Sequence, residues 1–183
     1  MYKENHPVTT FRLLVCGSRD WTDEELINKE INKAVVQAGV RAYQVLVING
    51  GADGADDIAM RLCRDKLGYA CATFFAPWTF ADRVLNNKRA AGPMRNGWMI
   101  YWGQPDKVLA FHPYIVNSRG TKNMVKRARE AGVPVRIVTG DTKAVPQRPM
   151  KKVTVKGDTI FIGDPRFGPD EQIMPKSKKG KKR

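Results

Sequence analysis

Val45-Leu46-Val47-Ile48-Asn49-Gly50-Gly51-Ala52-Asp53-Gly54-Ala55-Asp56-Asp57-Ile58-Ala59 sets an unbroken apolar run against a glycine-rich turn and then a helical pattern. Four aliphatic residues in a row predict a strand buried on both faces. Ile58 to Leu62 has helical spacing, so the glycines fall in a strand-to-helix turn. Such a turn gathers bare backbone N–H groups and the positive end of a helix dipole, which is where phosphate groups bind. It is not a P-loop, because the Lys-Ser/Thr pair is missing, nor does it match the G-x-G-x-x-G dinucleotide fingerprint.

The same alternation repeats on both sides of this stretch. Residues 11–16 read as a strand ending at Gly17. Thr22 and Glu25 have capping-box spacing, with Thr22 as N-cap, and a helix follows to about Gly39. Residues 43–48 are the second strand, and the helix after the glycine turn runs to about Leu67. Residues 70–75 form a third strand. A helix over 80–87, a break at Gly92-Pro93 and a helix over 94–101 lead to a fourth strand at 107–111. Gly120-Thr121 opens a helix over 122–131, and 133–138 is the fifth strand.

Apolar strands that alternate with helices predict an α/β fold, a doubly wound and mainly parallel sheet, over residues 8–140. Ligands in such folds bind at the carboxyl ends of the strands, near the reversal of strand order. Residues 141–175 read as a linker and a small β-hairpin with a Gly157-Asp158 turn, and 176–183 as a disordered basic tail.

The chain has 183 residues and a net charge of +14, of which +8 lies in residues 143–183. The run Lys176-Ser177-Lys178-Lys179-Gly180-Lys181-Lys182-Arg183 would either bind nucleic acid non-specifically or merely solubilise the chain. No apolar run is long enough for a membrane span, so no membrane partner is expected. The first seven residues lack the apolar core of a signal peptide. Cys16, Cys63 and Cys71 include no Cys-x-x-Cys, which suggests reduced thiols in a cytoplasmic protein.

Four segments share the expected ligand edge. Gly17 and Ser18 offer backbone N–H groups and a hydroxyl, while Arg19 and Arg95 offer guanidinium forks for phosphate. Gly50, Gly51 and Gly54 would form a cradle, and Asp53 or Asp56 would accept from ribose hydroxyls. Asn96 follows Arg95; Gly120 lets a phosphate approach the backbone, with Thr121 where a helix N-cap would stand. Plainer readings remain: Asp56 and Asp57 as dipole-favoured charges, Gly120-Thr121 as a simple cap, and Arg19 paired with Asp20 or Asp23. Asp56 and Arg95 are the candidates for catalysis. Trp78, Trp98, Tyr101 and Trp102 would stack on a base or fill a core or interface. His6 and His112 are too few and too far apart for zinc, so no metal is expected; His112 reads as a pocket or plain loop residue.

Taken in order, Gly17-Ser18-Arg19-Asp20-Trp21, Gly50-Gly51-Ala52-Asp53-Gly54-Ala55-Asp56, Ala91-Gly92-Pro93-Met94-Arg95-Asn96-Gly97-Trp98-Met99 and Gly120-Thr121-Lys122-Asn123-Met124, followed by Ala128-Arg129-Glu130-Ala131-Gly132-Val133-Pro134-Val135, resemble the SLOG superfamily, and within it the YspA, or cpYpsA-related, branch. The resemblance covers about residues 11–138. It implies a Rossmann-like fold, a nucleotide or nucleotide-derived phosphorylated ligand that is sensed or processed, a setting in phage or bacterial conflict, and a homodimer or higher oligomer. The wider superfamily also holds LOG-type phosphoribohydrolases and the DNA-processing protein A group, which binds single-stranded DNA. Two alternatives follow: a DNA-associated protein using a basic face and the tail, and an N-glycoside hydrolase. LOG-type enzymes carry Gly-Gly-x-Gly-Thr-x-x-Glu, and Met124 stands where that Glu would be. Methionine cannot transfer a proton. Met124 therefore reads as core, and hydrolysis would need Asp53, Asp56 or Asp82 instead.

Overall fold

The computed structural model describes residues 10–140 and, as backbone, 151–155 and 158–162. The N-terminal residues with His6, the linker, residues 163–175 and the basic tail lie outside the described residues.

In the first of two units, five strands form one all-parallel sheet: β1 (Phe11–Gly17), β2 (Val45–Asn49), β3 (Ala70–Thr73), β4 (Lys107–Phe111) and β5 (Val135–Val138). Their spatial order is β3-β2-β1-β4-β5. The order reverses between β1 and β4, which opens a crevice above their carboxyl ends. The connecting helices are α1 (Glu24–Ala38), α2 (Ala55–Leu62), α3 (Trp78–Arg83), α4 (Ala91–Tyr101) and α5 (Arg119–Glu130).

Strand periodicity divides the core. Leu13, Val15, Val47, Leu109 and Phe111 pack on Ile27, Ile31, Ala59 and Leu62 of α1 and α2. Leu14, Cys16, Ile48, Val108 and Ala110 point the other way, onto Met99, Met124 and Ala128 of α4 and α5. Both faces are covered, so successive strand residues are apolar without alternation. Removing a side chain such as Leu13 or Ile31, both wholly buried, costs about 2–5 kcal/mol.

Several predicted boundaries shift for local reasons. The N-cap of α1 is Asp23, not Thr22: its Oδ1 accepts from Leu26 N at 2.8 Å. Trp21 sets that entry point, because its indole N–H donates to the Asp23 carbonyl and its ring meets Phe111 edge-on at 5.4 Å. The helix expected at 80–87 is the shorter α3, followed by a 3-10 turn, Lys88–Ala90. Gly92-Pro93 does not break the chain. It lies in the first turn of α4, where proline has no helical hydrogen bond to lose. α2 continues to Leu67 as a π-helical turn, and β3 and β5 are shorter than predicted.

The second unit contains β6 (Lys151–Val155) and β7 (Asp158–Ile162), an antiparallel pair. Asp158 pairs with Val155, so it belongs to the ladder and not to the turn.

Candidate functional site

The crevice above β1 and β4 is a cavity of about 440 Å³, the size of a small-ligand site. Eight of the predicted residues line it: Gly17, Ser18, Arg19, Asp56, Arg95, Asn96, Gly120 and Thr121. They arrive from four separate segments, which the parallel sheet gathers at one edge.

Its floor is a joint between two turns. Ser18 N donates to the Phe111 carbonyl at 2.8 Å, and Ala55 N donates to the Ser18 carbonyl at 3.1 Å. Gly17 must be glycine, since a Cβ there would lie 2.3 Å from the Phe111 carbonyl oxygen. Gly54 has φ +75°, and a Cβ would lie 2.3 Å from the Ser18 carbonyl oxygen. Gly50, Gly51 and Gly54 do not line the cavity. Gly54 lets the second turn dock beneath the first, while Gly50 leaves room for the Arg95 guanidinium and Gly51 for Thr73 and Phe75, so the expected glycine cradle is a support behind the wall.

Asp56 closes this joint. It is 3% exposed, and its carboxylate accepts from Gly50 N at 2.9 Å and from the N–H groups of Gly17 and Ala52. Burial raises its pKa most; Arg95 and the three N–H groups oppose that, leaving it at about 6. Asp53 and Asp82 are exposed and are not among the residues lining the cavity.

Arg95 is not the free fork that its sequence suggested. One NH group donates to the Gly50 carbonyl at 2.8 Å, and the other to Asn96 Oδ1 at 3.3 Å. Its Nε is buried without a hydrogen-bond acceptor. Asn96 in turn donates to the Gly120 carbonyl and to Asn123 Oδ1, at 3.2 and 3.1 Å, which ties α4 to the start of α5.

The cap of α5 is Ser118, not Thr121: the Ser118 hydroxyl accepts from Thr121 N at 3.0 Å. Thr121 is buried in the first turn. A Cβ on Gly120 would meet nothing within 4 Å, so that side of the helix end is open. Met124 is 1% exposed, as expected of a core residue, yet it also forms part of the cavity wall.

Sequence reasoning passed over Arg89 and, among the site residues, Arg119; both line the cavity with Arg19 and Arg95. Arg119 stands immediately before the Gly120-Thr121 motif and Arg89 two residues before Ala91, so adjacency to the motifs was the available signal. Of the four aromatics considered for stacking, Trp78 lines the cavity. Trp98 and Trp102 stack on each other at 5.5 Å toward the end of α4, and Tyr101 and Trp102 are 75% and 60% exposed there. His112 also lines the cavity; its Nδ1 accepts from Tyr114 N at 3.0 Å, and burial lowers its pKa, so it is neutral near pH 7. Among the described residues no three His, Cys, Asp or Glu side chains are grouped as metal ligands. None of the described helices is long and apolar enough to cross a membrane.

A family model described as the YspA, cpYpsA-related SLOG family matches residues 11–79, which include the first two turns of this site. The chain is also similar to the Gene 61 protein of Mycobacterium phage D29, with 30% identity over 128 residues, covering 68% of this chain and 93% of the phage protein. The chain belongs to the YspA, cpYpsA-related SLOG family. In this SLOG protein the matched segment carries β1, β2 and β3 with the Gly17 and Gly50–Asp56 turns. The α4 and α5 walls, with Arg95 and Arg119, lie beyond that matched segment.

Proposed function

We propose that this SLOG protein binds a nucleotide or nucleotide-derived phosphorylated ligand in the cavity above β1 and β4. One observation carries the reading. Arg19, Arg89 and Arg119 line the cavity and form no ion pair among the described residues. Guanidinium groups without carboxylates, beside a helix N-terminus and the Gly17-Ser18 backbone, suit phosphoryl oxygens. Trp78 supplies an aromatic surface at the same cavity. The phage origin of a relative supports a role in phage–host conflict.

Titration calorimetry with ADP-ribose, NAD and nucleoside monophosphates tests the reading. Arg19→Ala and Arg119→Ala should each weaken the bound ligand about 10- to 100-fold, the equivalent of one charged hydrogen bond. Folded protein that takes up none of these compounds at millimolar concentration overturns it.

A second reading, N-glycoside hydrolysis, draws on Asp56, the one carboxylate among the residues lining the cavity, with a pKa near 6. Against it, that carboxylate already accepts three backbone N–H groups. Free base released from AMP by the native chain and not by Asp56→Asn would favour hydrolysis; no release with tight binding favours a sensor.

A further inference from the structure

The chain between β3 and α4 carries two of the cavity residues, Trp78 and Arg89, on a piece of structure of its own. It leaves the sheet after Phe74, whose N–H donates to the Asn49 carbonyl at 2.9 Å. It returns at Ala91, which is wholly buried at the start of α4. Between these points lie α3 and the 3-10 turn Lys88–Ala90.

Hydrogen bonds hold this piece together. Val84 N donates to the Phe80 carbonyl at 2.9 Å, Asn87 N donates back to the Ala81 carbonyl at 2.8 Å, and Ala90 N donates to the Asn87 carbonyl at 2.9 Å. The helix and the turn after it are thereby tied into one unit. Outward bonds are missing. Among the described residues, no hydrogen bond or ion pair joins residues 75–89 to the sheet or to α1, α2 or α5. Packing is thin as well: Ala81 is the one buried residue of α3, while Phe80, Val84 and Leu85 are exposed. The facing wall is built differently. Asn96 bonds α4 to α5, and Met99 and Met124 are buried beneath them. A unit bonded within itself, with few buried contacts to its surroundings, opens at a small fraction of the global unfolding free energy.

The two side chains that this unit turns toward the cavity are incompletely engaged. Trp78 lines the cavity yet is 46% exposed, and Arg89 lines it exposed and without an ion pair. An aromatic surface and a guanidinium group of the site thus ride on the part of its wall that is held least.

We propose that residues 75–90 are a lid that closes over the occupied cavity, setting Arg89 on the phosphoryl oxygens of the ligand and Trp78 against its flat ring. This rests on the ligand reading given above. A phosphoryl group shared between Arg89 on the lid and Arg19 and Arg119 on the opposite walls supplies the bonds that the open segment lacks. Closure also removes water from the mouth, which strengthens those charged bonds. Without an anion the three guanidinium groups repel one another, so the free chain stays open.

Hydrogen exchange of the full chain, read peptide by peptide with and without ADP-ribose, NAD or AMP, tests the lid once calorimetry has shown which of the three is bound. In the free chain, protection factors over residues 78–90 should be at least about 10-fold lower than over α4, and saturating ligand should raise them about 10-fold. A free segment as protected as α4 overturns the lid with no ligand needed. Binding seen by calorimetry with unchanged exchange over 78–90 overturns closure and leaves the ligand reading standing. Uptake of none of the three compounds overturns the ligand reading and closure with it. Arg89→Ala removes an exposed side chain and none of the bonds within the segment. At ligand concentrations that still saturate this variant, the added protection over 78–90 should be lost; full protection there overturns the clamping role of Arg89.

Discussion

Asp56 shows how one side chain serves geometry at an electrostatic cost. Three N–H groups from two turns converge on its carboxylate, but burial still holds its pKa above the usual carboxylate range, near 6. Folding therefore favours the protonated form. The contribution of Asp56 to stability is fully present below about pH 4 and is lost as pH rises through 6. The change amounts to about 3 kcal/mol. Glu24, Glu30 and Asp65 run the other way, because bonds to Lys66, Arg136 and Arg64 lower their pKa values and add stability as pH rises. The native chain must therefore be compared with Asp56→Asn. The stability difference between them, from urea unfolding at pH 4 and pH 7, should shift against the native chain as pH rises. A difference that does not move with pH would remove the ionised carboxylate from this account.

Arg136 and Glu30 make a second test of a single contact. Arg136 on β5 donates twice to Glu30 on α1, at 2.5 and 2.8 Å, and Glu30 is nearly buried. Arg136→Ala leaves that carboxylate without its partner and should cost about 1–3 kcal/mol in urea unfolding.

The turns and helix ends separate support from contact. Gly54 combines φ +75° with a Cβ position occupied by the Ser18 carbonyl. Gly54→Ala should lose at least about 2 kcal/mol, since backbone strain and the clash act together. Gly120 lies in the first turn of α5 with open space beside it. Gly120→Ala should leave stability unchanged or raise it by up to about 1 kcal/mol, while weakening ligand binding by crowding the cavity. Thermal unfolding and calorimetry on the two variants would show the contrast, and equal destabilisation by both would contradict it. The cap shifts from Thr22 to Asp23 and from Thr121 to Ser118 belong here too. Each segment offers more than one capping residue within reach, and the direction of chain entry, set by Trp21 for α1, selects among them.

Across the chain, β1 is central, paired on one side with β2 and on the other with β4, whereas β3 and β5 are edges. Native-state hydrogen exchange should be slowest in β1 and fastest among the strands in β3. Fast exchange in β1 would mean that the sheet opens through its centre.

Residues 13–16, 45–48 and 108–111 are apolar without interruption, and that pattern alone specifies strands covered on both faces and hence a doubly wound sheet. The turns at Gly17, Gly50–Gly54, Arg95 and Gly120 follow strands or open helices, so their gathering at one edge could be read before any coordinates. Local pattern could not divide the labour among them. Gly54 lets the second turn pack under the first, while Gly50 makes room for Arg95 and Gly51 for Thr73 and Phe75, all behind the wall. Arg95 is turned inward by the Gly50 carbonyl, while Arg89 and Arg119 face the cavity from segments brought together only when α4 and α5 pack on the sheet. Spacing along a chain encodes which backbone is helix or strand, through periods of 3.6 and 2. Which side chain meets solvent and which meets a carbonyl depends on contacts between residues far apart in sequence, and those exist only in the folded chain.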